Sequence, residues 1–106
     1  LEAIGVTGRS VSEHVEFLAQ QAAAAGTDGL VCSPHEVATL RQLLGPEVTL
    51  VVPGVRSAGE DAGDQKRVAT PHDAMKAGAS LLVIGREITR AAQPAVSAHR
   101  IIKDIA

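Results

Sequence analysis

Leu50-Val51-Val52-Pro53-Gly54-Val55-Arg56 reads as an unbroken apolar strand that stops at a proline and hands over to a glycine and an arginine. A strand without polar alternation is one covered on both faces, which is the habit of parallel sheets. Farther on, Leu82-Val83-Ile84-Gly85-Arg86 has the same order of apolar strand, glycine and arginine, and Asp64-Gln65-Lys66-Arg67 lies between the two. Anion-gripping groups placed directly after apolar strands suit a phosphorylated ligand. The carboxyl ends of parallel strands, and the helices that start beyond them, supply backbone N–H groups, a favourable dipole and fixed side chains.

Working outward, helices and strands alternate. Ser10 with Glu13 forms a capping-box pattern, and Val11, Val15, Leu18 and Ala22 recur at helical spacing until Gly26, which predicts a helix over roughly 11–25. Gly29 to Cys32 is a short apolar strand. Ser33 as cap, Pro34 in the first turn and Glu36 three after the cap open a second helix whose Val37, Leu40 and Leu44 share one face. Gly45-Pro46 ends it, and Val48 to Val52 is the next strand. A seventeen-residue loop, Pro53 to Ala69, follows and is long enough to suggest function by length alone. Thr70-Pro71 opens a helix that Gly78 closes, Leu81 to Ile84 is the third strand, and Gly85-Arg86 begins a short helical turn. Gln93-Pro94 leads into a last helix with Ala95, Ala98, Ile102 and Ile105 on one side.

Parallel strands joined by helices are paired through right-handed crossovers. Three continuously apolar strands need cover on both faces, and so few helices cannot give it in an open sheet. The pattern therefore predicts an α/β fold, about three consecutive βα units forming an arc of a (β/α)8 barrel within one domain, residues 1–106. The chain opens at Leu1 without Met, which reads as an excerpt or a processed product.

Composition narrows the function classes. At 106 residues the chain buries only about two-thirds of its unfolded surface. Phe17 is its only aromatic residue, so the core is built from Ala, Val, Leu and Ile. A formal net charge of −2 with interspersed signs leaves no electrostatic footprint for nucleic acid or for an acidic membrane. No apolar run approaches the ~20 residues of a membrane span, and a cytoplasmic protein is expected. The single Cys32 lies in an apolar strand and reads as a buried structural thiol.

Several polar residues have bland readings. His14, His35, His72 and His99 fall on four different predicted helices without zinc-like pairing. Glu60, Asp61 and Asp64 are adjacent loop acids without a ligand set, read as a solvated run, so no metal is expected. Lys66 and Arg67 read as solvated or loop-bracing charges. Gly85 and Arg86 are different: glycine permits close backbone approach to a phosphate oxygen, and a guanidinium adds a bidentate, charge-assisted contact.

Val52-Pro53-Gly54-Val55-Arg56, Ala62-Gly63-Asp64-Gln65-Lys66-Arg67-Val68-Ala69-Thr70-Pro71 and Val83-Ile84-Gly85-Arg86-Glu87-Ile88-Thr89, with Asp28-Gly29-Leu30-Val31-Cys32-Ser33 upstream, closely resemble the C-terminal part of bacterial orotidine 5′-monophosphate decarboxylase. The resemblance covers essentially the whole chain. It implies a (β/α)8 barrel, a homodimer, and a cofactor-free and metal-free lyase that turns a nucleotide monophosphate substrate into uridine monophosphate in pyrimidine synthesis. By motif position it implies that Gln65 and Arg86 hold the phosphate with their side chains and Gly85 with its backbone. Arg56 would be a further ligand-contacting arginine, and Pro53 would border the pyrimidine pocket. The resemblance also implies an Asp-x-Lys-x-x-Asp catalytic array, which these 106 residues lack, so no catalytic residue is assigned and the segment alone is expected to be inactive. The alternatives are a non-catalytic phosphate-binding half-barrel and a related lyase acting on a sugar phosphate.

Overall fold

The computed structural model describes residues 5, 7–57 and 69–106. Five helices and three strands alternate: α1 Val11–Ala24, β1 Gly29–Val31, α2 Val37–Leu44, β2 Thr49–Val52, α3 Pro71–Ala77, β3 Leu81–Leu82, α4 Arg86–Thr89 and α5 Pro94–Ile105. The strands form a parallel sheet in the order β1-β2-β3, with Val31 opposite Val51 and Val51 opposite Leu81. Consecutive strands in spatial order with helical crossovers make a partial barrel, as the apolar runs predict.

Local chemistry places most of the boundaries. The capping box at α1 is complete: the Glu13 N–H donates to Ser10 Oγ at 3.1 Å and the Ser10 N–H to Glu13 Oε1 at 3.3 Å. Thr70 Oγ1 accepts from the Asp73 N–H at 3.1 Å to start α3, and Gly78, at φ 121°, ends it. Gly29 has a different task, because a Cβ there would stand 2.7 Å from the Thr49 carbonyl oxygen across the β1–β2 pair.

The core lies between the sheet and the helices behind it. Leu50 and Val52 of β2 are fully buried there with Val37 and Leu40 of α2 and Ala74 of α3. Each of the larger side chains contributes about 1.5–3 kcal/mol by leaving water. Alternation sends Val51 to the opposite face, where the register sets it between Val31 and Leu81. On that face Val31 is 73% exposed and Leu81 58%. Among the described residues the sheet is thus covered on one side only.

Three sequence expectations need correction. The α2 helix starts at Val37 rather than after Ser33. Residues 34–36 form a turn in which the Glu36 carboxylate accepts from the Ser33 N–H at 3.0 Å, so half of the predicted box survives while the helix begins later. This puts His35 in the turn and not on a helix. On α5 the buried residues are Ser97 and Ile101, whereas Ile102 is 60% exposed, because the helix turns toward α3 and α4 the side on which the Ser97 hydroxyl meets a carbonyl. On α1 only Ala19 is buried. Val11 and Leu18 of its apolar row are exposed, since the described residues place nothing over that side. Phe17 also stays at the surface, its ring 3.8 Å under the Arg9 guanidinium.

Candidate phosphate site at the carboxyl ends of two strands

The loops after β2 and β3 leave the sheet side by side. The Val83 N–H donates to the Val52 carbonyl at 3.0 Å just beyond the Val52–Leu82 pair, so the chain leaves both strands at the same level. Beyond Pro53 the chain turns at Gly54, and Val55 drops into the core at 4% exposure. Val55 then bridges to Ala69, and the Arg56 N–H donates to the Ala69 carbonyl at 2.9 Å. The two ends of the long loop are therefore pinned to each other, and Arg56, half-buried, stands at the pinned root. Gln65, Lys66, Arg67 and the acids Glu60, Asp61 and Asp64 lie outside the described residues.

After β3, Gly85 precedes the four-residue α4 and Arg86 is its first residue. Both are exposed, and a Cβ added at Gly85 would meet nothing within 4 Å, so its surface is open to a ligand. Glu87 turns inward. Its Oε1 accepts from the Ser57 N–H at 2.9 Å, while its own carbonyl accepts from Ser97 Oγ at 3.0 Å. Arg56 and Arg86 thereby each stand one residue before an end of this hydrogen bond between the two loops. The structure thus gathers Pro53, Arg56, Gly85 and Arg86 at one end of the sheet. Glu87 was not singled out from the sequence. The signal for it was weak, an acid in the first turn of a short helix, where carboxylates are common.

The opposite end of the sheet is built for stability. Arg41 of α2 donates from Nε and NH2 to the Gly78 carbonyl (3.0 and 2.8 Å), from NH1 to the Gly45 and Val48 carbonyls (2.9 and 2.6 Å), and from NH2 to Ser80 Oγ (3.0 Å). One guanidinium so closes the ends of α2 and α3 and the starts of β2 and β3. Cys32 is buried as expected. Burial pushes its thiol pKa up, the Glu36 carboxylate adds to the shift and the Arg41 charge opposes it, which is the opposite of activation. Among the described residues no group of three or more His, Cys, Asp or Glu is placed to hold a metal ion, and no helix is long and apolar enough to cross a membrane.

Comparison with known proteins agrees with this geometry. The family described as "Orotidine 5'-phosphate decarboxylase / HUMPS family" matches residues 3–101. The orotidine 5'-phosphate decarboxylase of Rhodopseudomonas palustris (strain BisB5) is 54% identical over 96 residues, which cover 91% of this chain and 41% of that protein. That of Gluconobacter oxydans (strain 621H) is 50% identical over 103 residues, 97% of this chain and 43% of the relative. The crystal structure of orotidine 5'-phosphate decarboxylase from Lactobacillus acidophilus superposes with a TM-score of 0.82 at 33% identity, covering 97% of this chain and 41% of that one. The chain thus spans about two-fifths of the length of these relatives. With three parallel strands in barrel order, two glycine–arginine loops at their carboxyl ends and matches along nearly its whole length, the chain belongs to the orotidine 5'-phosphate decarboxylase / HUMPS family.

Proposed function

We propose that the chain is the phosphate-gripping part of an orotidine 5′-monophosphate decarboxylase. The complete barrel would be a carboxy-lyase acting as a cytoplasmic homodimer. The observation that carries this reading is the convergence of Arg56, Gly85 and Arg86 at the carboxyl ends of adjacent parallel strands, the place where barrels bind phosphate. In this reading Arg86 and Gln65 hold the phosphate through their side chains, Gly85 through its backbone, Arg56 contributes a further ligand contact, and Pro53 borders the pyrimidine.

The chemistry of bond breaking falls to residues outside this chain, because no Asp-x-Lys-x-x-Asp array occurs in it. The contribution of the present residues is binding energy. Contacts to a phosphate remote from the reacting carbon can be used to order and desolvate the reacting end, which raises the rate only if they act in the transition state.

The apolar surfaces left open by the fold support a chain that works as part of a larger barrel. A cleft of about 350 Å³ runs along α1 and the free edge of β1, lined among others by Val15, Leu18, Ala22, Leu30 and Val31. It adjoins the bare sheet face of Val31 and Leu81.

The test is calorimetry on the complete barrel with uridine monophosphate and uridine. Arg86→Ala is expected to weaken nucleotide binding by about 1.5–3 kcal/mol, the range of a charged hydrogen bond, and to leave nucleoside binding nearly unchanged. Equal weakening of both would remove Arg86 from the phosphate site. Tighter binding of a pentose phosphate than of the nucleotide would favour the sugar-phosphate lyase instead.

A further inference from the structure

Glu87 is buried at a place where a carboxylate is costly. Its side chain is 4% exposed, yet Oε2 makes no hydrogen bond among the described residues, and the Arg100 guanidinium nitrogen NH2 stands 3.8 Å from it, beyond hydrogen-bond reach. An acid buried with half of its acceptor capacity unused calls for a reason, since burial of a charge is unfavourable unless it is fully paired. The other oxygen supplies one. Oε1 is 2.9 Å from the Ser57 nitrogen, thirty residues away in sequence, and this bond joins the first turn of α4 to the root of the long loop. The backbone on the α4 side is itself fixed, because the Glu87 carbonyl accepts from the buried hydroxyl of Ser97 on α5. The carboxylate is therefore an arm held at its shoulder by α5 and gripping the loop at its hand.

We propose that Glu87 is a positioning residue: through Ser57 it sets the spacing of Arg56 and Arg86 around the ligand's phosphate, a role that rests on the phosphate-binding reading above. It touches no reacting atom. Arg56 precedes Ser57 and Arg86 precedes Glu87, so a change in the length of the Ser57–Glu87 contact shifts two ligand-binding positions relative to each other. The role assigned is that of the acceptor oxygen that meets the Ser57 N–H.

That assignment makes the proposal testable in the complete barrel by titrating uridine monophosphate and uridine against the wild type and three variants. Glu87→Ala removes the acceptor and is expected to weaken nucleotide binding about three- to tenfold, the scale of one lost hydrogen bond, with nucleoside binding unchanged. Glu87→Gln keeps an acceptor oxygen at the same reach and is expected to restore nucleotide affinity. Glu87→Asp keeps the charge but withdraws the oxygen by one methylene, so it should behave like Ala; it stands in should the Ala variant fail to fold. The proposal is overturned if nucleotide preference over nucleoside is unchanged in Ala and Asp, if both ligands weaken equally, or if Gln is as defective as Ala. A wild type with no preference for nucleotide over nucleoside would instead remove the phosphate reading itself, so the two failures are distinguishable.

Discussion

Arg86 and Glu87 are adjacent and have opposite surroundings, one open to solvent and the other enclosed. Gly85 was identified in the sequence because glycine before arginine at a strand end is a local pattern, readable without knowing the fold. Glu87 was not, because its partner Ser57 is thirty residues distant and only the sheet brings them together. Gln65 was read from its motif and lies outside the described residues. At this scale Gln65→Ala is expected to lower kcat/KM for orotidine monophosphate while leaving the chemical step in place. Single-turnover decarboxylation at saturating substrate checks this, and its complete loss would make Gln65 more than a binder. Cys32 gives a second expectation. Its folded pKa is raised, so the folded chain holds the thiol proton more tightly than the unfolded one. The resulting stabilisation is whole below the unfolded thiol pKa and is lost as pH rises through the raised folded value. Denaturant unfolding across the alkaline range should therefore show a decline that Cys32→Ala diminishes.

Among the elements, those specified by neighbours three residues apart came out as read. The α1 capping box and the Thr70 cap with Pro71 in the first turn of α3 are closed by contacts within one turn. Thr70→Ala should accordingly cost about 1 kcal/mol. The α2 start departs from this pattern, since the local Glu36–Ser33 contact forms but closes a turn, and the helix begins at Val37. The buried side of α5 is settled by a distant partner and falls to Ser97 and Ile101, because the Ser97 hydroxyl finds a carbonyl on α4. Arg41 is the extreme case. From sequence it is an ordinary helix arginine, yet in the fold it joins α2 to Gly78 and Ser80 nearly forty residues on. Arg41→Met keeps much of the apolar stem and leaves several carbonyls unpaired. Denaturant unfolding of the complete barrel is expected to show a loss of about 2–3 kcal/mol, with nucleotide binding unaltered because the proposed phosphate site is at the other end of the sheet.

The molecule as a whole is a slab, with principal extents of 46 × 31 × 18 Å and a radius of gyration of 15.5 Å. A compact domain of this length would have about 13 Å. The described residues also leave a bare Val31 and Leu81 face, unpaired edges of β1 and β3, and an open row of Val11 and Leu18 on α1. The alternating βα order makes the barrel arc legible in advance, whereas the periodicity of α1 tells which side is apolar and not whether anything covers it. Unpaired strand edges and bare apolar faces favour association. The isolated chain is therefore expected to bind an apolar dye strongly and to sediment as more than a monomer at high concentration. The central claim, that this chain grips phosphate for chemistry performed elsewhere in the barrel, is tested most directly by following orotidine monophosphate decarboxylation with the chain alone and with the chain joined to the rest of the barrel. The account predicts no turnover alone, turnover in the joined protein, and a fall in kcat/KM there with Arg86→Ala. Turnover by the chain alone, or a joined protein whose activity is indifferent to Arg86, would contradict it.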